Sequence, residues 1–370
     1  MGLKTPLHGV HAAAGAKIID FGGWEMPLHY GSQIAEHLAV RSGAGMFDVS
    51  HMGVIDLRGP AARTLLRELL ANDVARLAQP GRAQYACMLR EDGGILDDLI
   101  VYFAADDWYR LVVNAATRSK DLAWIRAAAA VQGVGVTERT DLAMIAVQGP
   151  QARARAASAL PHACRDAAPA LPRFGFTMAA DWFVARTGYT GEDGYEIILP
   201  ATEAVRTWET LLAAGVAPAG LGCRDTLRLE AGLSLYGNDL DESHHPLESG
   251  VGWTVAFEPG ERAFVGRSAL ESARRAPGSV LVGLLLEDRG VLRAHQAIAA
   301  ANGPGIVTSG SFSPSLNRSI GLARVPAGTD TGEQVRVDVR GQQLAARVVA
   351  PPFVRNGAAT FSLAPAESSR

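Results

Sequence analysis

The chain has 370 residues, of which 48% are hydrophobic and 20% charged, with a formal net charge of −3. That balance is ordinary for a globular protein and lacks the clustered basic excess of a nucleic-acid binder. The length leaves room for two or three domains of roughly 100–200 residues each.

The N-terminus, Met1-Gly2-Leu3-Lys4-Thr5-Pro6, carries no apolar run of the secretory type. No stretch of the chain approaches the ~18 consecutive apolar residues of a membrane span. His8 and His11 have the spacing of a metal pair on a helix, but Gly9 weakens that helix and no third ligand is evident. His51, in Phe47-Asp48-Val49-Ser50-His51-Met52-Gly53, has two readings: a catalytic imidazole, or a hydrogen-bonded structural residue before a strand.

An internal echo follows. Val54-Ile55-Asp56-Leu57-Arg58-Gly59-Pro60-Ala61-Ala62-Arg63 resembles Met144-Ile145-Ala146-Val147-Gln148-Gly149-Pro150-Gln151-Ala152-Arg153. Each copy reads as a strand, a Gly-Pro break and a helix, with Pro placed where its missing N–H costs nothing. The helices are expected over 64–70 and 154–160. A separation of 90 residues is too long for a solenoid repeat. Two related α+β units fit better.

Between the copies, Tyr85 lies in a predicted strand over 84–88. Next comes Gly93-Gly94-Ile95-Leu96-Asp97-Asp98-Leu99-Ile100. Alone, Asp-Asp after Gly-Gly is usually a solvated turn. The β-branched and aromatic residues at 99–103 predict a strand. Side chains alternate along it, so Asp97 and Asp98 should point opposite ways, with at most one facing a shared pocket. Asp106 and Asp107 make a turn, and 108–114 the returning strand. The open end of that hairpin brings Asp98 close to Asn114. A carboxylate there can hold or accept the proton of a reacting amine. A helix over 117–132 follows, with Thr117 or Ser119 to cap its start and Gly133 its end.

After the second copy, strands are predicted over 182–186 and 195–199, joined by the loop 190–194. Glu196 starts the second strand. A planar heterocycle with adjacent N–H donors suits such a carboxylate; an acidic hairpin tip without a ligand is the plain alternative. Helices are predicted over 203–214 and 221–231, the latter ended by Gly232. Arg224 and Arg228 stand one turn apart on it, and Glu230 lies too far round to bridge both. One of them needs a partner elsewhere, a carboxylate or an anionic ligand. A short helix over 268–275 leads to Ala276-Pro277-Gly278. From there short strands alternate with turns: 280–286, 306–308, 320–325, 335–339 and 344–349. That pattern predicts a small antiparallel barrel or sandwich.

Several chemistries fail. The only lysines are Lys4, Lys17 and Lys120. None sits in a convincing Schiff-base pocket, and no Gly-Lys-Ser/Thr phosphate loop exists. Cys87, Cys164 and Cys223 are scattered and odd in number, against a disulfide framework or a Cys-rich zinc site. No Gly-x-Gly-x-x-Gly turn suggests a dinucleotide.

Taken together, these segments resemble the aminomethyltransferase, or T-protein, family of the glycine cleavage system. The resemblance runs through Phe21-Gly22-Gly23-Trp24-Glu25-Met26-Pro27, Phe47 to Met52, Gly93 to Leu99, Gly188-Tyr189-Thr190-Gly191-Glu192-Asp193-Gly194 and Arg224 to Gly232. It implies an α+β fold: a three-domain cloverleaf around a central folate pocket, with two α+β units and a C-terminal antiparallel β-barrel. The corresponding division is 1–278, two intertwined α+β domains discontinuous in sequence, and 279–370, the barrel. The implied acceptor is tetrahydrofolate. The implied donor is an aminomethyl group on the lipoyl arm of H-protein, with P-protein and L-protein as the other components. By resemblance, Asp98 is the critical aspartate beside the folate amines, and Glu196 and Arg224 contact the pterin. Tyr85, Val112, Asn114, Tyr189 and Trp253 line the pocket, Met52 joins them, and Arg355 matches a C-terminal folate contact. Related folate-dependent demethylases share this fold; the iron–sulfur-linked folate binders carry a Lys-Gly-Cys-Tyr type loop that is absent here. With no metal, nucleic acid or membrane partner expected, and no transit segment at the start, a bacterial-type cytoplasm is the expected location.

Overall fold

A computed structural model describes residues 2–276 and 278–362, in two compact units. The first unit takes residues 2–188, 192–224 and 240–276. The second takes residues 189–191, 225–239 and 278–362. Among the described residues no helix is long and apolar enough to cross a membrane.

The first unit contains two antiparallel sheets with one wiring plan. The five-stranded sheet runs in the order Arg82–Leu89, Ile95–Ala105, Trp108–Val113, Gly53–Arg58, Gly135–Glu138. The six-stranded sheet runs Phe176–Ala179, Trp182–Ala185, Gly194–Pro200, Leu142–Gln148, Gly45–Asp48, with the short parallel Ala217–Pro218 at its edge. In both, the strand before Gly-Pro lies next to the return strand of a hairpin.

The echo in the sequence is therefore an echo in space. Gly59 and Gly149 have φ of +134° and +131°, a region essentially closed to side-chain-bearing residues. Each donates its N–H to a hairpin carbonyl, Gly59 to Asp107 and Gly149 to Asp193. Each accepts from a residue three positions on, Ala62 and Ala152, which opens the helix.

Helices Ala62–Leu69 and Arg118–Gln132 cover one face of the five-stranded sheet. Leu65, Leu66, Leu69, Leu122 and Ile125 pack there against Leu99, Val101, Phe103 and Leu111. Gly133 ends the longer helix with a left-handed φ of +67°, as its sequence predicts. Thr117 precedes that helix without capping it: its hydroxyl donates to the Asn114 carbonyl instead. In the second copy the α-helix is shorter than expected, Ala152–Ala156, and continues as a 3₁₀ turn over Ala157–Ala159. Val147, Ile197, Trp208 and Leu211 centre the core of that sheet.

In the second unit six strands close into an antiparallel barrel: Ser279–Leu286, Arg318–Pro326, Gly303–Ser313, Ala297–Ala300, Gln334–Val339 and Gln342–Val349. Five of these match predicted strands. The Ala-rich sixth, Ala297–Ala300, has too little β-branched character to be read from sequence. Leu284, Val307, Ala323 and Val337 fill the interior. The buried Arg228 is held by Asp225, Asp239, the Leu233 carbonyl and Ser309. Its partner is thus a carboxylate, not an anionic ligand. Glu230 is buried and accepts from Ser313 and Ser315.

The two Gly-Pro turns differ in what surrounds them. A Cβ on Gly149 would lie 2.5 Å from the Gly43 carbonyl oxygen and 2.6 Å from that of Val40, whereas on Gly59 its nearest neighbour is 3.7 Å away. Gly59→Ala carries backbone strain alone, and Gly149→Ala adds a backbone collision. Urea unfolding should show a loss of roughly 1–2 kcal/mol for Gly59→Ala and about 3 kcal/mol or more for Gly149→Ala. Equal losses would mean that the two turns are not constrained differently.

Candidate active site

The site is built where a strand ladder stops. Pairing between Ile95–Ala105 and Trp108–Val113 ends at Ile100↔Val112. Asn114, just beyond, has no ladder partner for its N–H, and the side chain of Asp97 accepts it at 3.1 Å. The Asn114 amide nitrogen donates to Asp97 Oδ1 at 2.9 Å, to Asp98 Oδ1 at 2.9 Å and to the Asp98 carbonyl at 3.0 Å. The expected meeting of Asp98 with Asn114 is present. Although the two side chains leave the strand on opposite faces, the one amide beyond the strand end reaches both.

The two carboxylates nevertheless face opposite layers. Asp98 shares the face of Tyr102, four residues on along the strand. Tyr102 packs edge-on against Phe176 and Phe183 and reaches Thr187, all in or beside the six-stranded sheet. Asp97 shares the face of Leu99, Val101 and Phe103, beneath the Arg118–Gln132 helix.

Asp98 is half-buried, and its other oxygen accepts from the Tyr85 hydroxyl at 2.9 Å. Tyr85 lies on Arg82–Leu89, paired with Ile100, as the sequence predicts. Its ring stacks on Trp253 at 5.8 Å and 25°. Trp253 is 68% exposed, unusual for a tryptophan and suited to a surface that receives a flat ligand. Burial, reinforced by the charge of Asp97, pushes the Asp98 carboxyl up to about 7; Tyr85 and Asn114 act in the opposite direction. Asp98 therefore exchanges a proton near neutrality.

The mount of Trp253 comes from Arg262. That guanidinium donates to the carbonyls of Arg67, Leu70, Ala71 and Ala256. Ala256 also donates to Ala71, and Ala71 to Cys87 on the Tyr85 strand. The turn Gly252–Thr254 is thereby tied to the sheet.

Glu196 is buried on Gly194–Pro200 and accepts from the Thr187 hydroxyl at 2.6 Å. It stands inside the strand rather than at an exposed hairpin tip. Through Thr187 and Tyr102 it connects to the strand carrying Asp98. Arg224 is half-buried near the start of the Leu221–Glu230 helix. Its charge acts on His51, which burial pushes down to about 4 and so keeps neutral. His51 is packed edge-on against Phe21, with its Nδ1 buried and without the hydrogen bond that a structural histidine would make there. Met52 is half-buried, and Val112 is buried beside Asn114.

Two expected contacts belong to the second unit. There the Tyr189 hydroxyl donates to the Ser234 carbonyl. Arg355 is exposed on the short Val354–Arg355 strand. Neither His8 nor His11 stands with a third ligand. His8 pairs with Glu25, and His11 is buried between Asp48 and Tyr30. Among the described residues no group of three metal-ligating side chains exists.

Thr187, Arg262 and Asp121 escaped the sequence reading. Asp121, in the first turn of the Arg118–Gln132 helix, would ordinarily be a solvated complement to the helix dipole. Here it is wholly buried, with its carboxyl close enough to Asp97 to interact with it. No sequence signal marks that.

Residues 7–259 match the GCVT N-terminal domain, and residues 280–355 match the glycine cleavage T-protein C-terminal barrel domain. The chain belongs to the glycine cleavage T-protein family. It is 57% identical to the aminomethyltransferase of Methylococcus capsulatus over 98% of this chain and 100% of that one. With the aminomethyltransferase of Nitrosococcus oceani it shares 55% identity over 97% of this chain and 96% of that one. The solved glycine cleavage system aminomethyltransferase T from Bartonella henselae superposes with a TM-score of 0.90 at 38% identity, covering 96% of this chain and 99% of that one. As a T-protein the chain is an aminomethyltransferase, with the mixed fold and barrel that its sequence predicts.

The raised Asp98 has a cost in stability. Between the ordinary carboxylate range and about 7 the folded protein holds a proton that the unfolded chain has lost. Stability therefore falls as pH rises through that window and stays reduced above it. Asp98→Asn removes the effect. It should melt about 2 °C or more above the native protein at pH 8, the gain disappearing toward pH 4. A variant that melts below the native protein at pH 8 would show that Asp98 is ionised and well paired instead.

Proposed function

We propose that this T-protein transfers the aminomethyl-derived one-carbon unit from the lipoyl arm of H-protein to tetrahydrofolate. The products are ammonia, 5,10-methylenetetrahydrofolate and dihydrolipoyl H-protein. The C–N bond to the leaving ammonia and the C–S bond to the lipoyl arm break. Two C–N bonds to folate form, and the two folate N–H protons end on ammonia and sulfur. H-protein is the direct partner, within an assembly of P-protein and L-protein.

The observation that carries the assignment of roles is Asp98, with its proton affinity near neutrality and its two fixed hydrogen bonds. In its ionised form it accepts a folate amine proton and stabilises the positive charge that develops as ammonia departs. In its protonated form it returns that proton. Tyr85 and Asn114 fix the carboxyl in one orientation, so little reorganisation is needed at the moment of transfer. Trp253 and Tyr85 offer a flat apolar surface for folate, with Met52 and Val112 beside the site. Glu196 matches the paired donors of a pterin edge, and Arg224 supplies a charge on that side.

The decisive assay follows ammonia and methylenetetrahydrofolate from aminomethylated H-protein, with and without tetrahydrofolate. Both products should form in equal amounts and only with folate. Asp98→Ala should lower turnover by about 100-fold or more while tetrahydrofolate affinity changes much less. Near-native turnover would remove Asp98 from the chemistry. Folate binding without ammonia release from H-protein would favour a demethylase-type donor instead.

Tyr85→Phe supplies a second test. The Tyr85 hydroxyl favours the ionised form of Asp98, so its loss raises the proton affinity. The acidic limb of the turnover profile should move upward by roughly half to one pH unit. An unchanged or lowered midpoint would mean that Asp98 does not set that limb.

A further inference from the structure

Behind Asp98, on the helix-facing side of the same strand, two carboxyl groups are enclosed together. Asp97 and Asp121 are both wholly buried. Asp97 accepts both N–H groups of Asn114, one on each oxygen. The two oxygens of Asp121 are shut off from solvent and receive no N–H donor. The two carboxyls lie within hydrogen-bonding reach of each other. A bond between them needs a proton held between the pair, because an ionised carboxylate is an acceptor only. Two negative charges cannot share a buried site at such range.

We infer that Asp97 and Asp121 hold one proton between them at neutral pH, so that they stand behind Asp98 as a single negative charge. The pair presents one negative charge to Asp98 rather than two. Burial first, and that charge second, raise the proton affinity of Asp98 to near neutrality, and a second charge would raise it further. The Asn114 amide, bonded to both Asp97 and Asp98, makes the connection direct. Two neighbours favour the ionised form of Asp121, Thr117 through its hydroxyl and Lys120 through its charge, and burial outweighs both. Lys120 precedes Asp121 and lies partly exposed in an ion pair with Glu242. The Thr117 hydroxyl donates to the Asn114 carbonyl, and Tyr85 faces Asp98. The Cys87 thiol, buried beside both aspartates, is held neutral. Burial pushes both members of the pair upward, Asp121 to about 6 and Asp97 well above the usual range, and groups so coupled release their protons in two shared steps.

The link to catalysis rests on the role proposed for Asp98; the shared proton does not. The test separates them. Infrared spectra of the full-length Asp98→Asn variant at pH 8 should retain the C=O band of one buried protonated carboxyl, which Asp98 can no longer supply. Asp98→Asn/Asp121→Asn should lose it, because the remaining Asp97 then accepts only N–H bonds and ionises. Absence of the band in Asp98→Asn, or its survival in the double variant, would overturn the shared proton. The first measurement leaves the pair intact and needs no substitution within it.

Asp121→Asn in the otherwise native enzyme tests the coupling. It replaces a one-proton pair by Asp97 alone, so the negative charge is unchanged and the midpoint of the turnover profile should stay within about 0.3 pH units. A fall of about one unit would mean that the native pair carries two charges, against the inference. If Asp98→Ala leaves turnover intact while the band behaves as described, the role of Asp98 fails and the shared proton stands.

Discussion

The site depends on the end of one β-ladder. Two strands part after Ile100↔Val112, and Asn114 is left with a free N–H and a side-chain amide directed back at the neighbouring strand. A ladder one pair longer would bind that N–H to the backbone. It would leave Asp97 without a donor in the core and Asp98 without its fixed orientation. Buried polar groups without partners cost about 1–3 kcal/mol each, and charged ones more. The break in the ladder thus lets this fold keep two adjacent aspartates in a strand that is otherwise apolar.

The repeated wiring of the two sheets explains how the site is framed. Each Gly-Pro turn anchors a helix start to the tip of a hairpin by the same pair of backbone bonds. This fixes the hairpin of the first sheet, with Asp98 and Asn114 at its open end, and the hairpin of the second, with Glu196 on its return strand. The aromatic contact of Tyr102 with Phe176 and Phe183 joins the two sheets on the Asp98 face. The copies have diverged in their use: one carries titrating carboxylates, the other a buried carboxylate held by a threonine hydroxyl.

Much of this is legible from sequence because it rests on local rules. Turn residues at Asp106 and Asp107 set the hairpin, and hence the pairing of Asp98 with Asn114. The Gly-Pro repeats mark two related units. Gly133 marks a helix end. Other features have no local signal. Ala297–Ala300 is a strand only because its neighbours close a barrel around it. Thr117 prefers the Asn114 carbonyl to capping its own helix. Arg262 reads as a surface arginine but binds four carbonyls contributed by segments nearly 200 residues apart. Asp121 reads as a solvated first-turn acid, and only the packing of its helix over the Asp97 face buries it.

Alternation along a strand, which turns Asp97 and Asp98 to opposite faces, divides one task between two environments. The Asp98 side is half-open, so its carboxyl can reach a substrate and still be tuned by burial. The Asp97 side is closed, so its charge cannot be screened by solvent and acts on Asp98 at full strength. A lone buried aspartate there would be a fixed charge. One paired with a second carboxyl holds a proton in the core while carrying the same single charge. Burial and the repulsion between neighbouring carboxylates thus work twice along one strand: they retain a proton in the core, and they place the half-buried Asp98 where a proton can be exchanged.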